Sequence, residues 1–350
     1  MRVLVTGNLG YVGSVLTPML AERGHEVFGY DTGYFRDCLL YHPVEEHLAA
    51  QHFGDIRELN AGLLDGVDAI VHLAALSNDP LGELDPLLTH RINTEATQRL
   101  ATLAKEQNVR RFVFASSCSI YGASAETSLT ESSPMNPLTA YARSKVDVER
   151  ILNEMADDDF SPTSLRNATA YGLSPRLRLD MAVNNLTGWG FATGKVTLLS
   201  DGSAWRPMVH VEDMGLAVCE TLEAPRERVH GQAMNVGDET ENYQIRTVAE
   251  IISESLEGTE VTFAEGAAAD SRTYNVSFAK IRSVLPNFRP RWTVRRGVAQ
   301  LLDAFQENVL TDEMFRGRLF TRLKQLRYLM EEKRIDRDLR WTSGDSEVHT

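Results

Sequence analysis

The chain opens Met1-Arg2-Val3-Leu4-Val5-Thr6-Gly7-Asn8-Leu9-Gly10-Tyr11-Val12-Gly13, and an apolar helical pattern follows through Leu20. The first six residues are a short apolar run that reads as a buried strand. Gly7, Gly10 and Gly13 then set a Gly-x-x-Gly-x-x-Gly pattern. Glycines let a backbone turn tightly and approach a pyrophosphate, whose charge suits a helix N-terminus. Taken alone the pattern is weak, and it is not the older Gly-x-Gly-x-x-Gly fingerprint. Here a strand precedes it and a helix follows, the context a dinucleotide-binding turn requires.

Outward from that turn, strands and helices alternate. His25-Glu26-Val27-Phe28-Gly29-Tyr30 reads as a second strand and Asp31 ends it. An acidic residue about 20 positions beyond the glycines accepts the adenosine ribose hydroxyls. It repels a 2′-phosphate, which predicts NAD rather than NADP, with Arg36 nearby as a counterweight. Phe53-Gly54-Asp55-Ile56-Arg57 reads as a third strand end, with Asp55 and Ile56 placed to flank the adenine. Ala69-Ile70-Val71-His72-Leu73-Ala74-Ala75 is a fourth strand running into small residues that permit close approach of a cofactor. His72 reads as a packed strand residue rather than a ligand. A long helix is expected over 85–107, carrying Asn93. A fifth strand opens at Phe112, and a sixth covers 163–169, closed by Tyr171-Gly172. This alternation predicts a parallel, doubly wound sheet.

The fifth strand breaks into Ser116-Ser117-Cys118-Ser119-Ile120-Tyr121-Gly122, and Tyr141-Ala142-Arg143-Ser144-Lys145 comes later. Residues four apart share a helix face. A Lys ammonium beside a phenol favours the phenolate, so Lys145 is expected to lower the Tyr141 pKa from its reference near ~10. Such a base takes a proton from a hydroxyl as hydride leaves the carbon. A lone Tyr-x-x-x-Lys is common on ordinary amphipathic helices; the dinucleotide turn at the chain start gives this one its weight.

Composition bounds the remainder. With 350 residues, 43% of them hydrophobic and 24% charged, the chain is long enough for one large domain or two intimate ones. No apolar run approaches the ~20 residues of a membrane span. Cys38, Cys118 and Cys219 are scattered without metal spacing, so no metal site is expected and a cytoplasmic setting is. The net charge of −13 argues against non-specific nucleic-acid binding. It leaves room for a phosphorylated small substrate held by local arginines. After Leu173 the alternation loosens into the basic loop Pro175-Arg176-Leu177-Arg178, a helix over 181–193 with Asn184 and Asn185, and the run Trp205-Arg206-Pro207. Further helices are expected over 214–222, 247–256 and 294–306. Asp270-Ser271-Arg272-Thr273-Tyr274 reads as a loop, and 312–340 as a charged helical tail.

These residues together resemble the extended short-chain dehydrogenase/reductase family, in its NAD-dependent nucleotide-sugar epimerase and dehydratase branch. The resemblance covers about residues 1–305. The glycine turn, Asp31, Asp55-Ile56, His72-Leu73-Ala74-Ala75, Asn93, Ser116-Ser117, Tyr121-Gly122, Tyr141 with Lys145, Arg166-Asn167, Tyr171-Gly172, Arg206-Pro207 and His210-Val211-Glu212-Asp213 all fall in family order. It implies an α/β fold, a Rossmann-type doubly wound parallel sheet with a smaller, mixed C-terminal substrate lobe. The implied division is 1–172 with returning segments about 208–243 for the NAD-binding domain. It leaves 173–207 and 244–309 for the substrate lobe, and 310–350 for a helical C-terminal extension.

The resemblance also implies roles. Tyr141 is the general base and acid, Lys145 its pKa partner and a ribose ligand, and Ser117 the hydrogen-bonding partner of the reacting oxygen. Gly7, Leu9, Gly10, Tyr11, Val12, Gly13, Asp31, Asp55, Ile56, Leu73, Ala74, Ala75 and Asn93 line NAD. Thr169, Asn185, Leu186, Arg206, Asp270 and Tyr274, with Ser117, contact a nucleotide-diphosphate sugar. One departure stands out: the family often has Arg where this chain has Ala267, and Arg272 is the candidate substitute. The implied reaction removes hydride from a sugar carbon, usually the fourth, to give a 4-keto sugar. Dehydratases resemble Thr-Asp-Glu after the strand and decarboxylases commonly have Glu there; here the slots hold Cys118 and Ser119. That leaves an epimerase first, a nucleotide-4-keto-sugar reductase second, a 4,6-dehydratase behind both, and a non-enzymatic dinucleotide sensor as the remote reading. Relatives pair the helices from Asp85 and Tyr141 across a dimer axis, so a homodimer is expected. The tail is expected to pack on the substrate lobe or the dimer.

Overall fold

The computed structural model describes residues 1–42, 47–124, 128–268, 270 and 272–342. Its first half is built on strands β1 (Arg2–Thr6), β2 (Glu26–Asp31), β3 (Ala50–Phe53), β4 (Ala69–His72), β5 (Arg111–Ser117) and β6 (Ser161–Asn167). A short β7 (Thr169–Tyr171), β8 (Lys195–Ser200), β9 (Trp205–His210) and β10 (Gln232–Val236) follow. Seven of these form one sheet in the order β10-β6-β5-β4-β1-β2-β3, parallel throughout. The strand order reverses between β1 and β4, and in such sheets ligands bind at that switch point, outside the carboxyl ends of the strands.

Alternation along each strand explains the layers. Val3 and Val5 of β1 join Val71, Val113 and Leu165 in one core, against Leu16 and Leu20 of helix α1 (Gly13–Glu22) and Ala217. Leu4 points the other way, with Ile70, Phe112 and Phe114, into a second core. That core takes Leu100 of helix α2 (Ala96–Glu106) and Val148 and Leu152 of helix α3 (Ala140–Met155). Both faces are covered, as an all-parallel sheet demands.

The smaller lobe is mixed. β11 (Asn242–Gln244) pairs antiparallel with β9, and β9 pairs parallel with β7. β12 (Glu260–Ala268) runs parallel to β8. Helices α4 (Ala182–Thr193), α5 (Val211–Glu223), α6 (Ile245–Ser255) and α7 (Val294–Glu307) follow in chain order. α4, α6 and α7 enclose the lobe's core around Val183, Val248 and Val298.

The structure departs from the sequence reading in four places. The sixth strand stops at Asn167, and Thr169 starts β7 in the other sheet, because Ala168 turns the chain from β5 and β10 toward β9. The long helix expected over 85–107 is a short turn, a wide turn of π geometry over His90–Glu95, and then α2. Strands β11 and β12 were not anticipated. The tail is two short helices rather than one: Asp312–Arg316 and α8 (Arg322–Glu331). Phe315 packs against Trp189 of α4, in the smaller lobe. Leu326, Leu329, Ile335 and Leu339 instead join the core that holds Leu4 and Tyr30, so the tail bridges both halves. Of the expected extension 310–350 the last eight positions, and Ser271 of the expected loop, lie outside the described residues. Among the described residues no helix is long and apolar enough to cross a membrane.

Candidate active site

A cleft of about 930 Å³ opens at the carboxyl ends of the parallel strands. The glycine turn forms one wall. Gly7 sits at φ +76°, and its amide donates to the Tyr30 carbonyl at 2.8 Å. A Cβ on Gly7 would stand 2.8 Å from the Ala74 nitrogen. One on Gly13 would meet the Gly7 carbonyl oxygen at 2.4 Å and the Asn8 Cα at 2.5 Å. The turn therefore presses against the chain just after β4 and against the start of its own helix, and only glycine lets it do so. Asp31 closes β2, and its carboxylate accepts from the Leu9 and Gly33 amides at 3.1 and 2.8 Å. Burial pushes its pKa up, while those amides and the charges of Arg176 and Arg322 pull it back.

Gly7, Gly10, Tyr11, Val12, Gly13 and Asp31 all face this cleft, and so do Asp55, Ile56, Leu73, Ala74 and Ala75. The Asp55 carboxylate is already held by the Arg57 side chain and amide. Two expected cofactor residues are placed differently. Leu9 is off the cleft wall and reaches the site through its amide bond to Asp31. Asn93 is buried behind the wall, in the π turn. Its side chain clasps Leu76, accepting from the amide at 2.9 Å and donating to the carbonyl at 3.1 Å, and it donates to Ser144 Oγ at 3.1 Å. Asn93 thus positions the loop after β4. His72 is a packed strand residue, bonded to Thr6 and Thr97.

Ser117 ends β5, and Tyr141 and Lys145 lie one turn apart near the start of α3, whose N-cap is Thr139. All three face the cleft, with Ser117 hydrogen-bonded to Tyr141. The electrostatics correct the expectation for Tyr141. Burial pushes its pKa up to about 12, opposed by the Ser117 hydrogen bond and the Arg178 charge. Lys145 is buried too, which pushes its pKa down to about 7. Its ammonium donates to the Ala115 carbonyl at 2.7 Å and lies 5.5 Å from the Tyr141 ring centre. Desolvation opposes both charged forms here, so proximity alone does not make the phenol acidic. Cys118 turns away: it is buried, and its thiol reaches the Arg166 carbonyl at 3.1 Å. Ser119 faces the cleft.

At the far end Thr169, Asn185, Leu186, Arg206, Asp270 and Tyr274 line the same space. Arg206 pairs with Asp270 at 3.0 Å, donates to the Arg272 carbonyl, and lies 5.1 Å from the Tyr274 ring centre. Arg272, not Ala267, is on the cleft wall. Its guanidinium bridges Asp270 at 3.0 Å and Asp79 at 2.8 Å, joining the smaller lobe to the loop after β4. Sequence reasoning missed Asp79, Arg178, Asp180 and Arg322, which also line the cleft. Arg178 pairs with Asp180 at 2.8 Å and donates to Ser77 Oγ at 3.1 Å. The basic loop 175–178 was a visible signal for Arg178; nothing local marked Arg322.

The residues present fit a dinucleotide: a turn too close-packed for a Cβ at Gly7 or Gly13, a helix starting at it, and a carboxylate at the end of the next strand. The model of the NAD dependent epimerase/dehydratase family matches residues 3–237. The chain belongs to that family, and it is an NAD-dependent enzyme. It is 26% identical over 331 residues to a UDP-glucose 4-epimerase of Bacillus subtilis, covering 86% of this chain and 94% of that one. Among solved structures, MoeE5 in complex with UDP-glucose and NAD superposes with a TM-score of 0.76 at 27% identity, over 88% of this chain and 100% of that one. The dTDP-glucose 4,6-dehydratase DesIV of Streptomyces venezuelae, with NAD and TYD bound, gives 0.76 at 25% identity, over 90% and 100%.

Proposed function

We propose that this chain is a nucleotide-sugar epimerase acting through a transient 4-keto sugar. The observation that carries the reading is the set of groups around the Ser117–Tyr141 pair. A dehydratase needs an acid beside the reacting sugar. The two positions after Ser117 are Cys118, turned to the Arg166 carbonyl, and Ser119. Asp79, whose charge reaches Tyr141, accepts from Thr139 Oγ1 at 2.7 Å and is paired with Arg272.

In this reading Gly7, Gly10 and Gly13 cradle the cofactor phosphates, Asp31 takes the adenosine ribose, and Asp55 and Ile56 border the adenine. Bound NAD supplies reversible hydride acceptance. Tyr141, in its phenolate form, takes the proton of the sugar hydroxyl as the carbonyl forms and returns it when hydride comes back to the other face. Ser117 holds the reacting oxygen, and Lys145 holds the cofactor ribose. Arg206, Asp270, Tyr274 and Thr169 border the nucleotide, with Arg272 in the role of the guanidinium absent at Ala267. Two protomers pair through α3 and the segment 85–107, where Leu87 is 74% exposed.

A nucleotide-4-keto-sugar reductase is the second reading, favoured by Tyr141 holding its proton up to about pH 12 and so standing ready as an acid. One experiment separates them. Protein carrying stoichiometric NAD is incubated with a panel of nucleotide sugars and the products are resolved by chromatography. An epimer forming without net NADH absorbance supports the epimerase. Turnover only with added reduced cofactor and a keto-sugar sinks it.

A further inference from the structure

The C-terminal extension does more than pack. Helix α8 begins at Arg322, a residue 3% exposed whose side chain is on the wall of the cofactor cleft. Its guanidinium lies 4.3 Å from the centre of the Phe35 ring. One terminal nitrogen, Nη2, donates to the Arg176 carbonyl at 3.1 Å. The other, Nη1, is buried with no hydrogen-bond partner. A buried, charged donor without an acceptor is costly to a fold.

The nearby carboxylates, Asp180 and Asp31, are engaged elsewhere. Asp180 takes the Arg178 guanidinium at 2.8 Å and the Arg322 amide at 3.4 Å. Asp31 takes the amides of Leu9 and Gly33. Burial, with the charges of Arg178 and Arg176, pulls the Arg322 pKa down to about 10. In a chain of net charge −13 this is a local, buried excess of positive charge. It stands beside the glycine turn: Asp31, which holds the turn through Leu9, feels Arg322, and Tyr11 of the turn feels Arg178. A buried guanidinium with an unpartnered donor, on the wall of a cleft that also holds a glycine turn and the start of a helix, calls for a phosphate anion.

We propose that Arg322 of the C-terminal extension is a ligand for the diphosphate of the dinucleotide, closing the cofactor site from a segment far along the chain. The inference rests on NAD as the cofactor and adds to it a residue from outside the part of the chain that matches the family, 3–237.

The test is calorimetric titration of the full-length protein, stripped of cofactor, with NAD, ADP-ribose, adenosine and NADP. Arg322→Met should weaken NAD and ADP-ribose about tenfold to a hundredfold, the range of one charge-assisted hydrogen bond, and leave adenosine within about twofold. Arg322→Lys should fall between. Equal losses for adenosine and ADP-ribose would make Arg322 a packing residue only, and no loss would remove it from the site. A wild-type preference for NADP that Arg322→Met abolishes would assign it to a 2′-phosphate; each of these overturns the proposal. Wild-type protein that binds none of the four would instead overturn the cofactor assignment. Should Arg322→Met fail to fold, amide exchange of the wild type decides: ADP-ribose must protect α8 where adenosine does not, and equal protection by the two overturns the proposal.

Discussion

Lys145 sits one helical turn from Tyr141, yet its ammonium points at the Ala115 carbonyl, 2.7 Å away. That bond ties α3 to the end of β5, the strand that presents Ser117. It makes Lys145 a strut as well as a cofactor ligand in the proposed mechanism.

Tyr141→Phe removes the group that, in the proposed mechanism, exchanges a proton with the reacting hydroxyl. Turnover should fall by about 10²–10⁴-fold, the usual worth of general acid–base catalysis. NAD affinity should stay within a factor of a few, since the ring and its packing remain. Steady-state kinetics beside NAD titration checks both; undiminished turnover would remove Tyr141 from the chemistry.

Lys145 carries a stability signature of its own. Its folded pKa, about 7, lies below the unfolded value of 10.5. Between those values the unfolded chain holds a proton that the folded one has lost, so the Lys145 contribution rises with pH, at up to about 1.4 kcal/mol per unit. It is complete above 10.5 and lost as pH falls toward 7. Urea unfolding at pH 7, 8 and 9 should show wild type gaining on Lys145→Met at each step. Parallel curves would mean that Lys145 is charged throughout.

Gly13→Ala tests the turn. The new methyl would stand 2.4 Å from the Gly7 carbonyl oxygen, a backbone atom that cannot swing aside. Either the turn or the start of α1 must shift, and the amides proposed to face the phosphates shift with it. NAD affinity should drop at least about tenfold, as misdirected hydrogen bonds to a charged group would predict. Far-ultraviolet circular dichroism should stay near wild type. Unchanged affinity would mean that the turn is not the phosphate cradle.

The parts of this molecule legible in its sequence are those whose signals are local. Val3, Leu4 and Val5 alternate between two cores, and the strand could be read from that run alone. The close packing of Gly13 on Gly7 and Asn8 is likewise contained within a few residues of turn and helix, whereas Gly7 packs on Ala74 from the loop after β4. Other features depend on what the chain meets in space. The sign of the Tyr141 shift is set by burial, which no four-residue spacing reveals. Asn93 looked like a cofactor residue because of its place in the family order, but the π turn aims it at Leu76. β11 spans only Asn242–Gln244 and pairs with β9, far back along the chain. The charge of Arg322 is felt at Asp31 across nearly the whole sequence, from a tail whose pattern reads only as a charged helix.

The Glu149–Arg166 pair should behave as a buried unit. Their closest atoms are 2.7 Å apart and both side chains are 4% exposed. Arg166 also donates to Tyr121 Oη at 3.0 Å, and Glu149 accepts from Ser116 Oγ at 2.5 Å. Arg166→Met leaves a buried carboxylate unpaired and should cost about 3–5 kcal/mol, as should Glu149→Leu. The double variant should lose far less than the sum of the two. Additive losses in urea unfolding would show that the pair is not coupled.

His72 should make the fold sensitive to acid. Thr97 Oγ1 gives its one proton to the Asn93 carbonyl at 2.6 Å, so it accepts from His72 Nε2–H at 2.8 Å. Nδ1 then accepts from the Thr6 hydroxyl at 2.7 Å, and the neutral ring is fully satisfied. Burial, with the Lys145 charge behind it, pushes the His72 pKa down to about 3. An unfolded histidine titrates near ~6.5. Below that pH the unfolded chain takes a proton that the folded chain refuses, and stability falls by up to about 1.4 kcal/mol per unit. The contribution is complete above 6.5 and lost as pH falls toward 3. His72→Gln lacks this term while keeping the carboxylates that also titrate in acid. It should therefore be less stable than wild type at pH 7, with the gap narrowing at pH 6, 5 and 4.5. A gap of constant size in urea unfolding would mean that His72 titrates alike in both states.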